Sequence, residues 1–519
     1  MLKTRGFLKS CILIIFIVSI IPILPIKGNN SLSLKYSTYL GGNGTEGWGF
    51  LDFDNSSNCI LISNTDSTNF PMKNAIQTTV KGERDAICLK LDPQGEEILY
   101  STYYGGSGDD FVSGGAVDSQ GNMILVGATS SMDFPLDHAL VGNRSTNERD
   151  VFAFKISSDG QEVLFSTYLG SASNYYSIDV TTDLSDNIII TGSTISPDFL
   201  VKNAYQENKS GGTDAFITKI SPDGQNVIFS TYFGGSQDDQ IKRVTTDKND
   251  NIIVIGVTSS SNQFPIKNAV NPNKSVTLWD VFISKFSSDG QELIFSTFYG
   301  GTRPWGAAAI SCDSNSNILA AGETNSQTFP VMNAFQEDYG GGELDSFLTK
   351  LSPDGQEISF STFIGGMGSE GPSEITTDSQ DNIFLTGSTS STDFIIKNAF
   401  KPTNNGWRDG YFLEFSKDGQ NLLFSTYIGG SRNDYSSSIA LIPDTNDSFF
   451  VTGHCDSRDL VLVNPYQETY GGGEFDLFFY RFEYGEIDDT DSINQKSTPG
   501  FQLIVVLGLL TIYLLKKRD

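Results

Sequence analysis

Histidine is nearly missing from this chain: among 519 residues only His138 and His454 occur, in different copies of the repeat described below. A shortage this severe argues against a His-based triad, an HExxH motif or a multi-His metal centre. Cysteine is scarce as well. Cys11 sits in an N-terminal apolar run, and Cys59, Cys88, Cys312 and Cys455 are too scattered for a CxxC metal site. Cys59 and Cys88 fall on neighbouring strand-like runs, at positions where other copies carry Ile, Met, Leu, Ala or Phe. Buried thiols are expected there, with a disulfide as the alternative. Positive charge is the third shortage: 34 Lys and Arg face 62 Asp and Glu, a formal charge of −28. Such a surface repels phosphate backbones, so no nucleic-acid partner is expected. No GxxxxGK[ST] phosphate loop occurs, and no helical periodicity separates the strand-like runs, which argues against βαβ units.

What the chain has in abundance is repetition. Ser37, Ser101, Ser166, Ser230, Ser296, Ser361 and Ser425 each open a version of ST-aromatic-x-G-G, at intervals of about 65 residues. Self-similarity at a fixed period means one supersecondary unit used many times. The copy at residues 234–298 shows that unit. Four β-rich runs, a to d, read IKRVTTD, NIIVIGVT, DVFISKF and ELIFSTF. Asp and Asn fill the tight a-to-b turn (Asp247 to Asn251), where their side chains bond their own backbone. The c-to-d turn carries Asp-Gly, as in Pro222-Asp223-Gly224, where Pro presets one corner and Gly takes positive φ.

Four antiparallel strands repeated seven times predict an all-β fold, a seven-bladed β-propeller over 34–483. The ends predict its closure. The first d run, Leu34 to Leu40, has no c run before it, and the last c run, Asp476 to Glu483, has no d run after it. An N-terminal strand completing the last blade would close the ring and leave no exposed edge.

GGSGDD, DSQGN, KNAxQ, YGGGExD, SPDGQ and FSTYxGG together resemble the SBBP (seven-bladed β-propeller) repeat family of exported and surface proteins of bacteria and archaea. The resemblance implies a fold and supplies no catalytic residues. The third copy departs at YLGSASNYY and the seventh at PDTNDSFFVTGHCDS. Outside the ring, residues 1–30 have the layout of a secretory signal or N-terminal anchor: Lys3, Arg5 and Lys9, then an apolar run. Residues 484–500 form an acidic polar linker, and 501–519 an apolar segment with a Lys-Lys-Arg end. The Pro499-Gly500-Phe501 triplet before it resembles the PGF-type sorting signals of archaeal surface proteins. The basic end would leave the propeller outside the cytoplasmic membrane.

In a propeller the d-to-a and b-to-c connections emerge on one face, and here these are the long ones, about twenty residues for each b-to-c link. That face is the candidate binding site. All four tryptophans map to it: Trp48 and Trp305 follow GG motifs, and Trp279 and Trp407 end b-to-c links. They would stack on sugars or peptide side chains, or plug the face. Counting five residues from the first Gly of each GG motif, or its GS equivalent, gives Glu46, Asp110, Tyr175, Asp239, Trp305, Glu370 and Asp434. The five acids are expected to ring the channel mouth, as a weak calcium site or as caps of their own turns. The functional reading is a monomeric, membrane-anchored surface binding, adhesion or envelope protein, without enzymatic activity, whose ligand is a surface glycan, polymer or protein. The alternative is a carboxylate-based glycan-cleaving enzyme using paired acids with Arg243, Arg303 or Arg432.

Overall fold

Strand-forming runs cut by Asp-Asn and Asp-Gly turns fold, in the computed structural model, into 28 strands and seven four-stranded antiparallel sheets. The structure describes residues 31–485, except 145–148, 173–176, 262, 276, 303–305, 327–328, 444 and 446–447. The expected signal segment, most of the linker and the C-terminal apolar segment lie outside the described residues. Among the described residues no helix is long and apolar enough to cross a membrane.

Six blades are consecutive: β2–β5 (50–104), β6–β9 (110–171), β10–β13 (179–233), β14–β17 (239–302), β18–β21 (307–364) and β22–β25 (370–428). The seventh joins β26 (Asp434–Leu441), β27 (Ser448–Cys455) and β28 (Asp476–Gly485) to β1 (Ser31–Leu40), in the order β1-β28-β27-β26. The N-terminal strand thus completes the last blade, as the orphaned runs at the two ends require.

The repeated motif is explained by the blade's outer edge. Strand d would present a bare row of backbone donors and acceptors. Instead the b-to-c link folds back along it in all seven blades: Val463, Lys73, Asp137, Lys202, Lys267, Met332 and Lys397 bridge to the motif serines. The serine N–H donates to the link carbonyl, at 2.8 Å from Ser101 to Lys73 and 2.9 Å from Ser37 to Val463. The adjacent threonine hydroxyl accepts a later link N–H, for example Gln206 to Thr231 and Gln467 to Thr38, both at 2.8 Å. The links therefore do not lie wholly on the open face, as expected from their length: their middle seals the rim, and their ends reach that face.

Blades are fastened to one another by the other repeated residues. Each link contains a left-handed residue, Asn in six blades and His138 in the seventh instance, with φ between 42° and 54°. In five of the seven its carbonyl accepts the amide of the c-to-d turn glutamine of the next blade, for example Gln161 to Asn74 at 3.0 Å, and likewise Gln225 to His138. The turn glycine beside that glutamine needs positive φ, and space: a Cβ on Gly224 would lie 2.5 Å from the Phe165 ring of the preceding blade. Lys90, Lys155, Lys219, Lys285 and Lys350 each pair with the Asp of their own a-to-b turn, at 2.5 to 2.8 Å. Each also donates to a carbonyl of the next blade's c-to-d turn. Cys59, Cys88 and Cys455 are buried free thiols, and Cys312 is a half-buried one.

Deleting residues 31–41 removes the outer strand of the seventh blade and bares β28. The truncated chain is expected to aggregate or to melt cooperatively at a clearly lower temperature. An unchanged melting curve would contradict closure by β1.

Candidate functional site

Register fixes which chain ends share the open face. Asp239 at the start of strand a pairs with Thr258 at the end of b, which pairs with Asp280 at the start of c and, through it, Gly301 at the end of d. The d-to-a turns and the ends of the b-to-c links therefore meet at one end of the ring.

The five counted acids lie there, but inside the wall: Glu46, Asp110, Asp239, Glu370 and Asp434 are 1% exposed or less. Tyr175 and Trp305, at the other two positions, lie outside the described residues. Each acid accepts the N–H of the second Gly of its own motif, at 2.6 Å in Asp110 and Asp239, 2.7 Å in Asp434, 3.1 Å in Glu370 and 3.3 Å in Glu46. A serine just beyond strand b (Ser67, Ser131, Ser260, Ser391 or Ser457) donates a second bond. The threonine ending strand b donates a third in four blades, to Glu46, Asp110, Asp239 and Glu370. In the last blade Cys455 takes its place, and Asp434 Oδ1 has no hydrogen-bond partner.

Each acid also has a buried carboxylate neighbour, the Asp that opens strand c of the preceding blade. A Cβ on Gly105 would lie 2.6 Å from the Asp85 carboxyl and 2.7 Å from Asp110 Oδ2, so only glycine fits between the two. Where the sequence has Tyr175 or Trp305 instead of the acid, the strand-c Asp meets a base: Arg144 lies 3.1 Å from Asp150, and Lys274 lies 3.5 Å from Asp280. Among the described residues no group of three or more His, Cys, Asp or Glu could hold a metal ion.

The open face changes character where the seventh blade meets the first. Tyr435, next to Asp434, stacks on His454 of strand b, with centroids 4.9 Å apart and an 11° interplanar angle. Trp48, from the d-to-a turn before blade one, continues the stack 5.8 Å from His454. Phe475 closes it edge-on, 4.9 Å from His454, and the Arg408 guanidinium lies 5.9 Å from the Tyr435 centroid. His454 is buried, which pushes its pKa down to about 4 and keeps the ring neutral. Trp48 stays 49% exposed, and Trp407, beside Arg408, is 83% exposed. Trp279 is half-buried against the core shared by blades four and five. The four tryptophans thus separate: Trp48 and Trp407 present surface, Trp279 packs, and Trp305 lies outside the described residues. Sequence reasoning missed Tyr435, His454, Phe475 and Arg408. The signal was the departure of the seventh copy at GHCDS, where His and Cys stand in place of the usual small residue and Thr.

Burial pushes Glu46 up to about 8, Asp239, Asp345 and Asp434 to about 7, and Asp85 and Asp476 to about 6. These groups hold protons more tightly folded than unfolded, so the stability they contribute is present at low pH and lost as pH rises through about 6 to 8. The turn acids Asp54, Asp118, Asp183, Asp247 and Asp313 behave oppositely: burial opposes ionisation, but Asn and Lys partners outweigh it and lower their pKa. Their contribution is lost as pH falls below about 4. The melting temperature should therefore peak near about pH 5 and fall towards pH 8, and Asp239→Asn or Asp345→Asn should flatten the alkaline fall. A melting temperature rising steadily from pH 5 to 8 would contradict these protonation states.

The family model for SBBP, a beta-propeller repeat, matches residues 228–265 and 368–395. No curated protein matches the chain. Among solved structures, a protein of unknown function from Dyadobacter fermentans DSM 18053 is similar at a TM-score of 0.40 and 9% identity, over 88% of this chain and 100% of that one. Virginiamycin B lyase from Staphylococcus aureus is similar at 0.41 and 10%, over 87% and 99% of the two chains. BamB from Moraxella catarrhalis is similar at 0.36 and 9%, over 87% and 100%. The chain is a seven-bladed β-propeller, two stretches of which match the SBBP repeat model.

Proposed function

We propose that this propeller is an exported, membrane-anchored surface protein that binds carbohydrate, without enzymatic activity, on the open face where blades six, seven and one meet. The observation that carries the reading is the stack Arg408, Tyr435, His454 and Trp48, ending in a half-exposed indole, with Trp407 exposed beside Arg408. Flat aromatic faces fixed by packing offer apolar area at low entropic cost, and an adjacent guanidinium supplies hydrogen-bond donors to hydroxyls. Exposed aromatics of this kind mark binding surfaces on rigid scaffolds.

The glycan-cleaving alternative has less support. Glycoside hydrolysis needs two carboxyls facing a sugar across a cleft. The paired acids between blades are buried and hydrogen-bonded within the wall, as Asp110 is to Gly106 and Ser131, and face no cleft. The acids that face the channel, Asp179 and Glu374, line a cavity of about 120 Å³, below the roughly 300–1,000 Å³ of ordinary ligand sites.

The test is a panel of neutral and acidic oligosaccharides titrated into the full chain in detergent, followed by tryptophan fluorescence. Binding should quench emission, and Trp48→Ala and Trp407→Ala should each weaken it at least about tenfold, with melting temperature retained, as expected for loss of one stacking surface. Affinity unchanged in both variants, or binding by no member of the panel, would overturn the reading.

A further inference from the structure

Seven inner strands surround the channel, and at one register position their side chains break the repeat. Asp179, Arg243 and Glu374 pair with Thr191, Ile255 and Thr386, each the fourth residue of its strand b. The equivalent positions in other blades hold Phe50, Gly114, Ala309 and Ser438. Two carboxyl groups and one guanidinium therefore stand at a single level of the ring and line one cavity, Asp179 and Arg243 on neighbouring blades and Glu374 two blades further on.

The two acids are fixed in place by neighbouring blades. Asp179 Oδ2 accepts the Val244 N–H at 2.8 Å, and Glu374 Oε2 accepts the Ile439 N–H at 3.1 Å. Gly114 makes room for the first: a Cβ there would lie 2.9 Å from the Asp179 Cα. Arg243 is held differently. Its only hydrogen bond among the described residues runs from Nη1 to the Lys242 carbonyl at 2.9 Å, which leaves most of its five N–H donors to the channel. It forms no ion pair within 4.0 Å with either acid. The gap between the opposite charges is real space, a cavity of about 120 Å³. Water takes about 30 Å³ in the liquid, so this is room for a few waters or one molecule of a few heavy atoms. Ser437 Oγ, on the same wall, is buried without a hydrogen-bond partner. The next level of the wall, Leu51, Val180, Val244, Ile310 and Ile375, is apolar. Charges against such a wall act through a lower dielectric than water provides, so a ligand carrying complementary ends is attracted strongly.

We propose that this cavity binds a small α-amino acid or a zwitterion of similar size, its carboxylate on Arg243 and its ammonium group on Glu374 and Asp179. A guanidinium is suited to two-point recognition of a carboxylate, and the acids accept the ammonium N–H groups. Arg243 on blade four supplies the positive group, Asp179 stands on the neighbouring inner strand of blade three, and Glu374 lies two blades further on, in blade six. The site is independent of the aromatic stack on the open face.

The full chain in detergent is titrated calorimetrically with glycine, L-alanine, acetate and methylamine. Glycine or alanine should bind, with acetate and methylamine, each carrying one pole, at least about tenfold weaker. Arg243→Gln and Glu374→Gln should each weaken amino-acid binding by a similar factor while the melting temperature holds. Should a variant melt early, the comparison of two-pole with one-pole ligands on the natural chain decides alone. Binding of none of the four, or acetate binding as well as alanine, overturns the proposal. So does unchanged alanine affinity in well-folded Arg243→Gln.

Discussion

The bridge between each outer strand and its own b-to-c link is the contact on which the rest of this ring depends. A propeller blade covers its faces with its neighbours but leaves strand d as an open edge, and an open edge templates association with other chains. Here the serine backbone and threonine hydroxyl of the repeated motif hold the link against that edge in every blade. Each such hydrogen bond contributes only about 0.5–1.5 kcal/mol net, yet leaving the same groups bare and buried costs more. The link, once held, places its left-handed residue where the next blade's glutamine can reach it. Edge sealing and blade-to-blade fastening are therefore one arrangement.

This accounts for why the repeat says so much about fold and so little about function. The serine, threonine, glycines, turn acids and glutamine are all occupied in holding the ring together. Side chains free to do something else occur where copies differ. Tyr435, His454 and Trp48 assemble at the seam between the worn seventh copy and the first. Asp179, Arg243 and Glu374 occupy inner-strand positions that are small or apolar in the other four blades: Phe50, Gly114, Ala309 and Ser438.

Much of the architecture was legible because it rests on local chemistry. Asp-Gly and Asp-Asn turns mark strand ends, and the orphaned runs at Leu34 and Asp476 predicted β1 in the last blade. The path of the links was not legible, since the bridge from Lys73 to Ser101 joins residues whose pairing no periodicity announces. The burial of Glu46, Asp110 and Asp239 was also hidden. Counting from the GG motif gave their position along the strand, but the direction of the side chain depends on the serine and threonine that receive it across the blade. The aromatic stack was hidden for a further reason: its members lie on strands a and b, the preceding turn and the end of a link, and converge only through ring closure.

The most direct measure of this account is hydrogen exchange in the outer strands. If the links seal every edge and β1 completes the seventh blade, the amides of Ser37, Ser101, Ser166, Ser230, Ser296, Ser361 and Ser425 should be protected to a similar degree, well above the c-to-d turns. Fast exchange at all seven would contradict edge sealing, and fast exchange at Ser37 alone would contradict closure of the ring by the N-terminal strand.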